Sequence, residues 1–130
     1  MEEIRTESDI VRCRSLARAF AGRLGFGKVD QTRITTAVSE IARNTLVHGG
    51  GGSMTIRVVE GNGLEVLFVD AGPGIQDIDL AMRDGYSTAG SLGLGLGGAR
   101  RLIDEFSLES KVGAGTRVTM RKYPSKQAWG

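Results

Sequence analysis

Twenty of the 130 residues are glycine, and they gather at 49–52, at Gly72 and Gly74, and from 85 to 98. That is about twice the usual ~7 %. Glycine is favoured where backbone turns sharply or comes close to another group. Glycines clustered in this way imply loops that touch something rather than merely connect elements.

Between the clusters the chain divides into elements. Residues 2–6 alternate weakly, as a short edge strand does. From Asp9 to about Leu24, the apolar Ile10, Cys13, Ala17, Phe20, Ala21 and Leu24 recur at helical spacing, which predicts an amphipathic helix ended by Gly25. Asp30 reads as the N-cap of a second helix running to about His48, with Ile34, Ala37, Val38, Ile41, Ala42 and Leu46 apolar, stopped by the glycines at 49–52. Residues 53–60 and 64–70 read as strands joined through Gly61-Asn62-Gly63, a hairpin signal. Glycine and small polar residues follow Asp70, with one helical turn expected near Ile78 to Met82. A third helix begins around Gly95 to Gly98 and runs through Leu102 and Ile103, and strands near 106–111 and 116–122 close the pattern. Hairpins and helices that do not alternate one for one predict an α+β, two-layer α/β sandwich: a mostly antiparallel sheet with helices on one face. The length favours a single domain, residues 1–123, with 124–130 expected as a disordered tail.

Composition narrows the function. Hydrophobic residues at 40 % and charged residues at 25 % mark a globular chain rather than a disordered one. No apolar run approaches the ~20 residues of a membrane span, and the charged start Met1-Glu2-Glu3-Ile4-Arg5 predicts no signal peptide. The single cysteine, Cys13, and single histidine, His48, exclude an internal disulfide and argue against zinc; a reducing, cytoplasmic location fits both. A net charge of +2 is too small to hold nucleic acid by itself. Arg12, Arg14, Arg18 and Arg23 on the first helix could meet an acidic partner, but a solvated helix face is the favoured reading of them.

Three constellations carry chemistry. Glu40 and Asn44 lie one turn apart on the second helix and so point the same way. An amide oxygen suits Mg²⁺, and a carboxylate beside it can accept a hydroxyl proton; a solvated pair has the same spacing. Asp70-Ala71-Gly72-Pro73-Gly74 follows the apolar run Val66-Leu67-Phe68-Val69, which puts an acceptor-only carboxylate at a strand end, suited to a donor such as the adenine amino group. An ordinary strand-ending turn reads the same way. Gly93-Leu94-Gly95-Leu96-Gly97-Gly98 precedes a helix, where open N–H groups and the helix dipole can hold phosphate. It follows a polar stretch rather than a buried strand, so it is not a dinucleotide fingerprint, and no Walker lysine follows it. A lid is the alternative, itself compatible with phosphate binding.

In order and spacing these segments resemble the GHKL ATPases, the family of gyrase, Hsp90, MutL and the histidine kinases. Glu40-Ile41-Ala42-Arg43-Asn44 looks like the family's N-box, Asp70-Ala71-Gly72-Pro73-Gly74 its first glycine box, and Gly93-Leu94-Gly95-Leu96-Gly97 its second; Gly115-Thr116 stands where members carry a threonine beside the adenine-binding aspartate. Leu24-Gly25-Phe26-Gly27, Val29-Asp30-Gln31, Asp84-Gly85-Tyr86-Ser87-Thr88 and Arg101-Leu102-Ile103-Asp104-Glu105-Phe106-Ser107 are similar to the small serine/threonine kinases of bacterial partner-switching systems, of the RsbT type found in stressosomes. The resemblance implies a Bergerat ATP-binding fold and a protein serine/threonine kinase using ATP and Mg²⁺. Asp70 would receive the adenine amino group, with Thr116 supporting it through water. Asn44 would hold Mg²⁺, and Glu40 would orient or deprotonate the substrate hydroxyl. Gly72 and Gly74, with Gly93, Leu94, Gly95, Leu96 and Gly97, would line the nucleotide; His48 is assigned at most a phosphate contact, and residues 76 to 92 would form a lid. The implied substrate is a STAS-domain antagonist, whose phosphorylation would free the kinase for a phosphatase partner. An anti-sigma factor kinase, which sequesters a sigma factor, is the rival reading; an ATP-binding module without kinase activity is a third. No room remains for the dimerisation helices of a histidine kinase.

Overall fold

The computed structural model describes residues 1–75, 82 and 95–125. The elements run β1 (Glu2–Ile4), α1 (Glu7–Arg23), α2 (Lys28–Val47), β2 (Gly52–Val59), a 3₁₀ turn (Glu60–Asn62), β3 (Gly63–Asp70), α3 (Gly95–Arg101), β4 (Glu105–Lys111) and β5 (Gly115–Lys122). Of the helical turn expected near Ile78 to Met82, all but Met82 lies outside the described residues.

Helix α1 starts two residues before Asp9 because that carboxylate turns back on the chain: Asp9 Oδ2 accepts the N–H groups of Arg5 (2.8 Å) and Thr6 (3.0 Å). Such bonds satisfy donors that a helix start leaves open. Its buried stripe is Ile10, Cys13, Ala17 and Ala21. Helix α2 corrects one expectation, since Asp30 is not its cap. The Gly27 carbonyl already accepts the Gln31 N–H at 2.9 Å, so the helical ladder begins there and Asp30 falls inside the first turn. The Asp30 carboxylate is used elsewhere. It accepts the N–H (3.1 Å) and hydroxyl (2.5 Å) of Ser125, lies 3.6 Å from Lys122 Nζ, and pairs with Arg33 at 3.3 Å. Pro124 and Ser125 therefore continue the fold past residue 123; residues 126–130 of the expected tail lie outside the described ones.

The five strands form an antiparallel sheet in the order β1-β2-β3-β5-β4. Alternation sorts each strand into two faces. Inward rows run Val66–Met120–Phe106 and Phe68–Val118–Leu108, and against them pack Ile34, Val38 and Ile41 of α2 and Ile10, Cys13 and Ala17 of α1 in one core. α1 lies along α2, so the helices form a layer on one side of the sheet, as expected. The outward face carries a charged row across four strands: Arg57, Glu65, Arg121 and Glu105 are successive cross-strand neighbours. Glu65 accepts Arg57 Nε at 2.5 Å and Arg121 Nε at 2.7 Å. The paired guanidinium of Arg57 holds this buried carboxyl below its ordinary range, with Arg121 adding to the effect against the cost of burial.

Candidate nucleotide site

The inward rows Val66–Met120–Phe106 and Phe68–Val118–Leu108 are apolar, and the next one along the strands turns polar. Asp70 on β3 faces Thr116 on β5, which faces Ser110 on β4. All three are half-buried. A polar row capping an apolar core leaves hydrogen-bonding groups at the edge of the helix–sheet cleft, where a ligand can reach them.

Each member is held by its neighbours. Asp70 Oδ1 accepts the Gly72 N–H at 2.9 Å, closing the Asp-Ala-Gly turn and leaving Oδ2 unused by it. The end of α2 presses on this carboxylate. A Cβ at Gly49 would stand 2.6 Å from Asp70 Oδ2, and one at Gly72 would stand 2.7 Å from the Gly49 Cα. Only glycine at position 49 lets the turn after α2 come so close. Gly115 has φ +88°, and a Cβ there would strike the Asp70 carbonyl oxygen, so glycine is needed there on both counts. The β4–β5 turn clamps the 71–75 segment: Gly113 N–H donates to Pro73 O at 2.8 Å, and Ile75 N–H donates to Ser110 Oγ at 2.7 Å. Gly74 packs where a Cβ would strike Lys111 O.

Glu40 and Asn44 sit on α2, half-buried and one turn apart. Gly95, the first residue of α3, points its N–H at Glu40 Oε2, 3.4 Å away. The second glycine run thus begins beside the first carboxylate of the N-box segment. Within that run Leu96 and Gly97 are buried, while Gly93 and Leu94 lie outside the described residues, as does the expected lid. The Asn44 carbonyl accepts the N–H groups of His48 (2.9 Å) and Gly49 (3.2 Å), which ends α2 and starts the glycine turn that reaches Asp70. His48 itself is exposed at this helix end. A continuous path therefore joins Gly95, Glu40, Asn44, Gly49, Asp70, Thr116 and Ser110.

Among the described residues no three His, Cys, Asp or Glu side chains gather as a metal cage. The donor set still fits Mg²⁺, which usually takes one or two protein oxygens and completes its shell from phosphates and water. Cys13 has no part in the site: it is fully buried in the core, and burial pushes its thiol up to about 11. The arginines of α1 are not all unpartnered, since Arg12 binds Glu2 (2.9 Å) and Asp9 (2.6 Å), and Arg18 reaches Thr35 at 3.4 Å. Sequence reasoning missed Ser110. Its signal was the alternation Phe106, Leu108, Ser110, which puts a lone hydroxyl on the apolar face of a strand.

Residues 29–127 match the family model described as histidine kinase-, DNA gyrase B-, and HSP90-like ATPase. Over 123 residues the chain is 51 % identical to serine/threonine-protein kinase RsbT of Bacillus subtilis (strain 168), covering 92 % of each protein. It is 35 % identical over 117 residues to anti-sigma F factor of Thermoanaerobacter sp. (strain X514), covering 85 % of this chain and 82 % of that one. Among solved structures, the RsbU and RsbW domains of Rv1364c from Mycobacterium tuberculosis match with a TM-score of 0.71 at 19 % identity, over 98 % of this chain and 32 % of that one. That likeness bears on the fold.

Proposed function

Because this chain belongs to the family of histidine kinase-, DNA gyrase B- and HSP90-like ATPases, we propose that it phosphorylates a STAS-domain antagonist or scaffold protein in a bacterial partner-switching pathway. Its activity is that of a protein serine/threonine kinase, supported by 51 % identity across 92 % of the chain to a protein of that name. The observation that carries the site reading is the approach of Gly95 N–H to Glu40 Oε2. It supports a general base standing beside the glycine run whose backbone would meet phosphate.

On this reading Asp70 accepts the adenine amino group through Oδ2, and Thr116 supports it through water. Gly72 and Gly74 shape the turn beside the base, and Gly93 to Gly97 lend N–H donors to the phosphates. Asn44 offers its amide oxygen to Mg²⁺, which would neutralise phosphate charge when bound. His48 adds a phosphate contact at the end of α2. Glu40 orients the acceptor serine or threonine hydroxyl and takes its proton as the γ-phosphoryl group transfers. The product gains roughly −1.5 to −2 charges, which weakens its hold on the kinase and releases it to bind and activate a phosphatase-like partner. The cytoplasm, where ATP is met, is its proposed place; no described helix is long and apolar enough to cross a membrane.

The test mixes the protein with Mg²⁺, labelled ATP and a STAS-domain protein from the same genome, with Glu40→Gln as control. Label on a serine or threonine of the STAS protein, absent with the variant, is the expected outcome. ATP binding without transfer would overturn the substrate assignment. The anti-sigma reading rests on the 35 % relative. Co-purification with a sigma subunit would favour it over the switch-kinase reading.

A further inference from the structure

A hydroxyl group has one proton to donate and two lone pairs to accept with. Ser110 uses all three. The Ile75 N–H, 2.7 Å away, occupies one lone pair. The Gly115 carbonyl oxygen, 3.2 Å away, can only accept, so it takes the Ser110 proton. The third contact is Thr116 Oγ1 at 2.9 Å. With the Ser110 proton already given, Thr116 must donate to the remaining lone pair. The Thr116 proton is therefore committed toward β4, and only its lone pairs remain to meet a ligand.

Asp70, the cross-strand partner of Thr116 on the other side, is also an acceptor. Both groups at this end of the polar row then read hydrogen-bond donors. A 6-aminopurine presents a donor there, whereas a 6-oxopurine presents an acceptor that faces two acceptors and stays unpaired. Without Ser110, the Thr116 hydroxyl could rotate and donate to a 6-oxo group, directly or through water.

We propose that Ser110 is the residue that fixes base specificity: by holding the Thr116 hydroxyl as an acceptor, it makes the pocket select a 6-amino over a 6-oxo purine. This rests on the reading of the cleft as an ATP site. Ser110 acts through Thr116 and is a positioning residue. Its bond to Ile75 also ties the base-reading row to the 71–75 segment.

The experiment measures ATP and GTP affinities by calorimetry on the full chain, for the unsubstituted protein, Ser110→Ala and Ser110→Thr. The ATP-over-GTP ratio is expected to fall on the order of tenfold in Ser110→Ala, the worth of one such hydrogen bond. The KM for ATP is expected to rise more than kcat falls. Ser110→Thr, which keeps the hydroxyl, is expected to retain the ratio. An unchanged ratio in a folded Ser110→Ala protein overturns the assignment, as does a Ser110→Thr protein that discriminates no better than the alanine variant. Should Ser110→Ala not fold, Thr116→Val serves: ATP affinity is expected to fall with no gain for GTP, and an unaltered ratio overturns the proposal. Failure of the unsubstituted protein to bind any nucleotide would instead overturn the ATP-site reading itself, and this inference with it.

Discussion

Glu40 on α2 and Asp70 on β3 both stand on the path through the site, and their roles separate by substitution. Glu40→Gln keeps an oxygen that can accept the Gly95 N–H at the place of Oε2 and removes only the basicity. Phosphotransfer is expected to fall by at least roughly 10²-fold, the scale of general-base catalysis, while ATP affinity stays within about twofold, since this hydrogen bond is kept. Calorimetry beside a label-transfer assay separates the two; equal losses in both would show that Glu40 holds nucleotide rather than acting on the acceptor. Asp70→Asn keeps Oδ1 for the Gly72 N–H but can turn an amide donor toward the adenine amino group. A donor facing a donor is expected to cost about ten- to a hundredfold in ATP affinity. Unchanged affinity in this variant would remove Asp70 from the base site.

Helix α2 is the element that joins the two residues: Glu40 and Asn44 lie along it, and the turn after it lays Gly49 against Asp70. Gly49→Ala is therefore expected to reach beyond its own position. The added Cβ would lie 2.6 Å from Asp70 Oδ2, so either the turn or the carboxylate must move. Overpacking of this kind costs about 1–3 kcal/mol, and ATP affinity is expected to fall with it. Denaturation with and without nucleotide measures both; a variant that loses stability but binds ATP unchanged would show that Asp70 has room to adjust. The elements themselves were legible, because apolar spacing in α1 and α2 and the Gly61-Asn62-Gly63 turn are local signals. The placement of Glu40 and Asn44 one turn apart and the turn after Asp70 were legible as well, since each depends on neighbours within a few residues. Asp30 was not: its partner Ser125 is 95 residues away, and a buried acid at the third position of a helix looks from sequence like a cap. Ser110 also escaped, because its partners depend on the β4–β5 register and on the backbone of the 71–75 segment, neither of which spacing reveals.

Taken as one molecule, the fold is tied by two buried carboxylates, one within the sheet and one between the layers. Glu65 joins the strands on the outward face of the sheet, and Asp30 joins the start of α2 to Lys122 and Ser125 at the end of β5. Burial works against the Asp30 charge, yet the hydroxyl and N–H of Ser125, with Lys122 and Arg33, hold its carboxyl below the ordinary 3.8. Glu65 likewise lies below its ordinary 4.5. A carboxylate whose folded pKa is depressed contributes stability that is complete above its unfolded value and is lost as pH falls through the folded one. Stability from these groups is thus expected to be level from neutrality down to about pH 5 and to drop steadily below it as the unfolded chain takes up the protons first. Glu65→Gln keeps one oxygen for one guanidinium and sets an amide NH2 against the other, so one of the two bonds is lost; it is expected to cost about 1–3 kcal/mol at neutral pH and to flatten the acid slope. Urea midpoints followed from about pH 7 to about pH 3 test this linkage. If the variant lost stability at neutral pH yet kept the full acid slope, the Arg57–Glu65–Arg121 row would hold the sheet by packing alone, and the acid sensitivity would belong to the Asp30 tie between the helices and the last strand.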